Sequence, residues 1–455
     1  MKRQLDTLSH INLLVTHPYG RGGSLFVHSL FDSHPAVLTL PRCGALYSWL
    51  PETVGAAELE QKINALIAHC PGIFDSSKEY FGNMSGITTG RFGMHGEQNL
   101  IVDPAQFKRR LLALCNQAGQ QLSRKMFFIL LHVAYGHCLG RHEMSQVKYI
   151  FYHPHARQEI DVVASDFPDL YLIAMTRDPR QNWTSWKKIH GLRMGRDWST
   201  VPPISLFLEA KIYADSCHHL YRLFDKLRQD HIRIVDLESF HVMNRRAMAH
   251  LCAWLGIEFD QILMESTFNG VCWYGNATNM QQTSSFNAGI KRDAWRDELS
   301  ASEIDAINNI LPGTIRYLHY DIAPGQQHGQ QRNLFEVLHQ CVKYDNPLLL
   351  AMHCILHISG NPLVVYPGIE YNYSRIKRAR GWVRKFITVT QTIPYSLGLA
   401  RQLHGGQLRA LLGAMAANEE KLLGDAPPPQ AFIGYYNEAP DYASSAVHVQ
   451  TPTSS

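Results

Sequence analysis

A chain of 455 residues, 45% hydrophobic and 18% charged, has the composition of a globular protein and room for one large domain with additions or for two. Its formal charge of +4, with 24 histidines counted as neutral, suits small anionic ligands and is too weak a field to argue for nucleic acid as a partner. The nine cysteines are scattered without a Cys-x-x-Cys pair and read as reduced thiols; no stretch approaches the roughly 18 apolar residues of a spanning helix, and the apolar run after Met1-Lys-Arg is too short for a signal peptide, so a soluble cytoplasmic protein is expected.

In chain order, the apolar run Ile11 to Val15 predicts a short buried strand. It breaks at His17-Pro18-Tyr19-Gly20, and an apolar-periodic segment from Leu25 predicts a helix to about Ser33. Between them lies Gly20-Arg-Gly-Gly-Ser24. Strand, glycine-rich loop and helix form an anion cradle: glycine lets the backbone approach an oxyanion, and the helix start offers unpaired N–H groups and a favourable dipole. Arg21 adds a fixed positive charge and Ser24 a hydroxyl. The plain alternative is a turn and nothing more.

Ala36 to Leu40 reads as a second strand and Ala56 to Ala68 as a helix. Pro71 to Leu100, rich in Gly, Ser, Thr and aromatics without a clean period, reads as a long insertion or substrate-facing loop. Helix resumes from Pro104 to Gln121 behind Asp103, while Phe127 to Tyr135 is ambiguous between helix and strand. Lys148 to His153 predicts a strand, His155 to Phe167 a helix, and Asp169 to Thr176 a strand. Asp178 as cap and Pro179 as first residue then open a helix through Trp183 and Trp186. Helix over Ile204 to Asp230, strand over His231 to Leu237 and helix over Arg245 to Leu255, ending at Gly256, continue the alternation. Residues 265–300 are mostly irregular, and Ser302 to Leu311 is a helix capped by Ser300 or Ser302.

Strands alternating with helices predict an α/β protein of three layers, a central, mostly parallel sheet covered by helices on both faces. The polar run Gly325-Gln-Gln-His-Gly-Gln-Gln sets a boundary near 324: a first domain over 1–324, a mostly helical region over 325–424, and a disordered tail over 425–455 beginning around Pro427-Pro-Pro.

The second informative stretch is Tyr171-Leu-Ile-Ala-Met-Thr-Arg-Asp-Pro-Arg-Gln-Asn-Trp-Thr-Ser185. A buried strand delivers Arg177 at its carboxyl end, where open α/β sheets gather ligands, and the next helix presents Ser185. Guanidinium and hydroxyl suit one phosphate; the alternative is an arginine paired with Asp178 and a core-facing serine. Two such loops, each with an arginine and a serine, suggest a ligand with two separate anionic groups. The first lacks the lysine of G-x-x-x-x-G-K-[ST] and carries Leu25 in place of its second glycine, which disfavours an ATP- or GTP-hydrolysing loop or a kinase.

At this point the sequence resembles the sulfotransferases that use 3′-phosphoadenosine 5′-phosphosulfate (PAPS). Gly20-Arg-Gly-Gly-Ser-Leu-Phe with His28-Ser-Leu-Phe-Asp-Ser-His-Pro35 resembles their 5′-phosphosulfate loop and following helix, and Arg177-Asp-Pro with Ser185 their 3′-phosphate site. Val235-Asp-Leu-Glu-Ser-Phe240 resembles the strand ending in Glu-Asp-Leu, Leu251 to Ile257 the helix after it, and Thr267-Phe-Asn-Gly, Trp273-Tyr-Gly-Asn276 and Trp295 the segment closing over the nucleotide. The resemblance runs in order over roughly residues 10–321 and implies a P-loop NTPase-like sulfotransferase fold. It implies that Arg21, Gly22, Gly23 and Ser24 hold the 5′-phosphosulfate, that Arg177 and Ser185 hold the 3′-phosphate, and that Arg21 also stabilises the leaving phosphate. Leu25, where many members carry a second hydroxyl, and Ser239, in place of the acid of Glu-Asp-Leu, are departures that leave a catalytically silent nucleotide- or partner-binding protein as an alternative, beside a kinase with a degenerate loop.

For the base, His153 and His155 follow the strand at Lys148 to Tyr152, in a segment that faces the acceptor in relatives; His153 is favoured, and Glu97 and Glu143 are the alternatives. No metal is expected, because histidines 132, 137, 142, 153 and 155 follow no metal-binding spacing. The acceptor is left open among small molecules, lipids and carbohydrates. Residues 371–387 combine helical apolar spacing with interleaved Arg and Lys, which fits a helix with a solvated basic face or one in peripheral contact with a membrane.

Overall fold

The computed structural model describes residues 10–17, 20–41, 46–78, 92–93, 95–141, 143–154, 156–194, 203–275, 284–318, 320 and 432–433, together with Leu8. The boundary near 324, the region 325–424 with its basic segment 371–387, and all of the expected tail but Phe432 and Ile433 lie outside these residues.

Six strands form one sheet: β1 (Asn12–His17), β2 (Val37–Thr39), β3 (Tyr149–Tyr152), β4 (Tyr171–Thr176), β5 (Ile232–Asp236) and β6 (Phe432–Ile433). Their order is β6-β5-β4-β1-β3-β2 and every pairing is parallel. The last strand pairs Phe432 with Ile234 and Ile433 with Val235, which corrects the tail expectation at those two residues: an apolar pair, Ile433 β-branched, adds backbone hydrogen bonds to an open edge.

The helices that cover the sheet are α1 (Ser24–Phe31), α2 (Pro104–Ala118), α3 (Arg124–Cys138), α4 (Arg157–Asp166), α5 (Pro179–Met194), α6 (Pro203–Lys226), α7 (Leu237–Leu255) and α8 (Ala301–Ile310). Side chains alternate along the strands and make two cores. Leu13, Val15, Ile150, Leu172 and Ile234 face α3, α4 and α6; Leu14, Phe151, Ile173, Met175 and Val235 face α1 and α7.

Phe127 to Tyr135 is helix. Ser123 accepts from the Met126 amide to start α3, and burial of every residue from Phe127 to Gly136 erases the apolar period that would have marked it. The helix expected from Arg245 begins eight residues earlier, at Leu237, and bends at Asn244, whose φ is 29°. Caps elsewhere lie where the sequence predicts: Asp103 accepts from Ala105 and Gln106, Asp178 from Arg180, and Ser300 with Glu303 completes a capping box.

Strand β1 lies between β3 and β4, and the chain crosses to β2 and β3 on one side and to β4 and β5 on the other. This is the switch point at which loops splay apart at the carboxyl edge of a parallel sheet. Gly20 to Ser24, His153, Arg177 and Glu238 all leave the sheet at this edge.

Candidate active site

The first loop reaches α1 through two glycines with positive φ, Gly20 at 64° and Gly23 at 90°. Gly23 is required twice over: its backbone is left-handed, and a Cβ there would stand 2.4 Å from Leu237 Cδ1. Gly23 caps α1 without a side-chain hydrogen bond, and among the described residues the amides of Ser24, Leu25 and Phe26 donate to no protein acceptor, whereas the Val27 amide donates to the Gly23 carbonyl. Three adjacent donors at a helix start are what an oxyanion needs.

The two predicted loops meet. Arg21 Nε donates to Ser185 Oγ at 3.2 Å, so the arginine of one loop and the serine from the helix after the other share a site. Trp186 lies over Gly20, 3.6 Å from the position of its absent Cβ. On the opposite flank of β1, Ser24 Oγ and His153 Nε2 are 2.9 Å apart, with both residues buried. His153 therefore stands at the loop's serine, while His155 lies outside the described residues. The two carboxylate alternatives are engaged in their own turns: Glu97 accepts from the His95 amide and Glu143 from the Ser145 hydroxyl, each at an exposed position.

Arg177 does not pair with Asp178. Asp178 instead binds Arg180 through both carboxylate oxygens, and the Arg180 guanidinium stacks 4.1 Å from the centre of the Trp295 ring. Arg177 Nε donates to Glu238 Oε1 at 2.6 Å; burial pushes that accepting carboxyl up to about 7 against the pull of Arg177. Trp295 is buried, and its amide donates to Gln181 of α5; with Glu303 accepting from Trp183 and Lys187, the 295–303 segment is fastened to the helix that carries Ser185.

The departures at positions 25 and 239 each have a structural occupation. Leu25 packs against Phe92, Leu100, Phe268 and Trp273, a small apolar cluster distinct from the two cores. Ser239 donates its hydroxyl and amide to Asp236, the cap of α7, and Asp236 also accepts from Tyr320. At the far end of α1 the buried Asp32 accepts from Thr39, Thr267 and the Gly270 amide, which ties the loop's helix to β2 and to the hairpin at 267–272. Inside α1, His28 stacks on Phe151 and meets the edge of His153; burial pushes it down to about 4, so it is neutral.

Two features carry no signal in the sequence. Glu238 reaches Arg177 across 61 residues, and a chain of Asp161, His219 and His17 links α4, α6 and the end of β1 through contacts of 3.2 and 2.9 Å. Each partner sits on a different element, so local spacing is silent about them; a glutamate opening a helix beside a strand that ends in arginine is the nearest hint.

The chain matches the model of the sulfotransferase family over residues 19–261, more than half its length, and belongs to that family. Among solved structures it is similar to the sulfotransferase domain from the curacin biosynthetic pathway, at 11% identity and a TM-score of 0.39, over 66% of this chain and 96% of that one. It is also similar to the sulfotransferase domain of the Synechococcus PCC 7002 olefin synthase, at 15% identity and a TM-score of 0.35, over 64% of this chain and 88% of that one. A comparison with curated proteins returns no match. Among the described residues, no helix is long and apolar enough to cross a membrane.

Proposed function

We propose that this sulfotransferase takes its sulfuryl group from PAPS and transfers it to a hydroxyl or amine of a small-molecule, lipid or carbohydrate acceptor. The observation that carries this reading is the Arg21–Ser185 hydrogen bond, because it brings the two candidate anion-binding loops together. The residues fit such a donor. Gly22, Gly23 and the unpaired amides of Ser24 to Phe26 would receive the 5′-phosphosulfate, with Arg21 beside them; Arg177 and Ser185 would receive the 3′-phosphate.

The donor supplies a sulfuryl group on a phosphate leaving group. The acceptor oxygen or nitrogen forms a new bond to sulfur as the sulfur–oxygen bond to the 5′-phosphate breaks, and that phosphate keeps the electron pair. Arg21 and the loop amides offset its growing charge. In this reading the acceptor's proton passes to His153, and its 2.9 Å contact with Ser24 of the glycine loop supports that role.

Calorimetry with 3′-phosphoadenosine 5′-phosphate (PAP) tests the assignment. Arg177→Ala is expected to weaken PAP by about 10- to 100-fold, the worth of a charge-assisted contact, and to leave adenosine 5′-phosphosulfate, which lacks the 3′-phosphate, little changed. Equal losses for both nucleotides would remove Arg177 from the 3′-phosphate site. Transfer from labelled PAPS to any member of an acceptor panel would exclude a catalytically silent protein.

A further inference from the structure

Arg177 is gripped from one side. Its Nε donates to Glu238 Oε1 at 2.6 Å, and among the described residues its two terminal nitrogens have no partner. The arginine side chain keeps 11% exposure and the glutamate 2%, so the guanidinium retains access to a ligand while the carboxylate has almost none. Glu238 is itself fixed in the first turn of α7 behind the Asp236 cap.

We infer that Glu238 is a positioning residue that aims Arg177 at the nucleotide's 3′-phosphate, and that it takes up a proton when that phosphate binds. The inference rests on the nucleotide reading above. One guanidinium charge cannot offset a carboxylate and a phosphate dianion on its two edges in a buried site, where like charges a few ångströms apart repel strongly. Arg21, hydrogen-bonded to Ser185, brings a second positive charge to that phosphate, but the groups around Glu238 itself add none. From β5, Asp236 adds negative charge, with Arg292 acting on Asp236; Tyr213 of α6 and Tyr320 are held as neutral phenols by burial. On α7 itself burial keeps His241 neutral, and on α5 the Asp178 carboxylate is matched by Arg180. A protonated Glu238 still accepts the Nε–H bond through its carbonyl oxygen, so Arg177 stays aimed while the excess negative charge is removed.

The direction follows from where the carboxyl starts. In the free protein it is raised to about 7, and a phosphate beside Arg177 raises it further. Between those two values, binding draws in a proton; below about 7 the group is already protonated and uptake fades. The second ionisation of a phosphate monoester, near pH ~6, lies beneath this window.

Titration of PAP into the full-length protein at about pH 8, in buffers of different ionisation enthalpy, reads the proton directly, and wild type is expected to take up a substantial fraction of about one proton. Adenosine 5′-phosphosulfate, without a 3′-phosphate, should draw none. Glu238→Gln keeps an acceptor for Nε and cannot titrate, so it should bind PAP without uptake and at least as tightly as wild type at that pH. Glu238→Ala, which frees the guanidinium, should bind PAP roughly tenfold more weakly. Binding of PAP by wild type without proton uptake, or uptake that persists in Glu238→Gln, overturns this inference alone. Failure of wild type to bind PAP overturns the nucleotide reading and the inference with it.

Discussion

At Gly23, backbone and packing make the same demand: φ is 90° and Leu237 fills the space a side chain would need. Gly23→Ala is expected to cost about 1–3 kcal/mol in urea unfolding and to weaken PAP, since the left-handed backbone strains any side chain and the Leu237 side chain must give way. His153 invites a different measurement. If it receives the acceptor's proton, His153→Gln should lower the transfer rate by about 10²- to 10⁴-fold while PAP affinity changes by less than tenfold. A full rate in that variant would move the base elsewhere. Leu25 shows why a departure from a family pattern need not be a defect: the position beside Ser24 here anchors an aromatic cluster instead of offering a second hydroxyl.

Among the elements, α4 shows a buried carboxylate working as a tether. Glu159 Oε1 accepts from Tyr152 at the end of β3 and from the amide and hydroxyl of Ser48, and burial pushes the carboxyl up to about 7 from 4.5. A carboxyl raised in the folded state contributes stability that is fully present below the unfolded value and lost as pH rises through the folded one. Glu159→Gln keeps an oxygen for all three donors and removes the titration. Between pH ~5 and ~8, wild type should therefore lose on the order of 2 kcal/mol relative to the variant in urea melts; an unchanged gap would refute it. How far the elements could be read in advance depends on how local their causes are. Asp103, Asp178 with Pro179, and Ser300 mark helix starts through contacts within three residues, and those starts were legible. Helix α3 was not, because a fully buried helix has no polar face to set a period. Strand ends and glycines singled out Arg21, Ser24, Arg177 and Ser185, and the fold brings Arg21 to Ser185; Glu238, His219 and Asp161 acquire their partners only when distant elements pack.

For the whole molecule, buried ionisable groups shape stability against pH from both sides. Burial pushes His28, His132 and His241 down to about 4, so each contributes stability that is present above the usual imidazole value of 6.5 and lost as pH falls toward 4. His17, His34 and His219 are lowered as well and add to the same slope. Glu159 and Glu238 act in reverse, their contribution lost as pH rises through about 7. Through these groups among the described residues the unfolded chain binds more protons than the folded one below about 6.5, so their contribution should climb steeply from pH ~4 to ~6.5 and decline gently above it. Urea unfolding across that range checks the shape, and a maximum below pH ~5 would contradict it.

The Asp32 junction has a consequence in time. The glycine loop and its helix precede their last partners by a long stretch of chain: the helix's terminal carboxylate finds Thr267 and the Gly270 amide some 235 and 238 positions later. Until those residues emerge, the aspartate at the far end of the loop's helix has only Thr39, Ser33 and water for company. A nascent chain halted before residue 267 therefore carries the loop without the hairpin that ties down its helix.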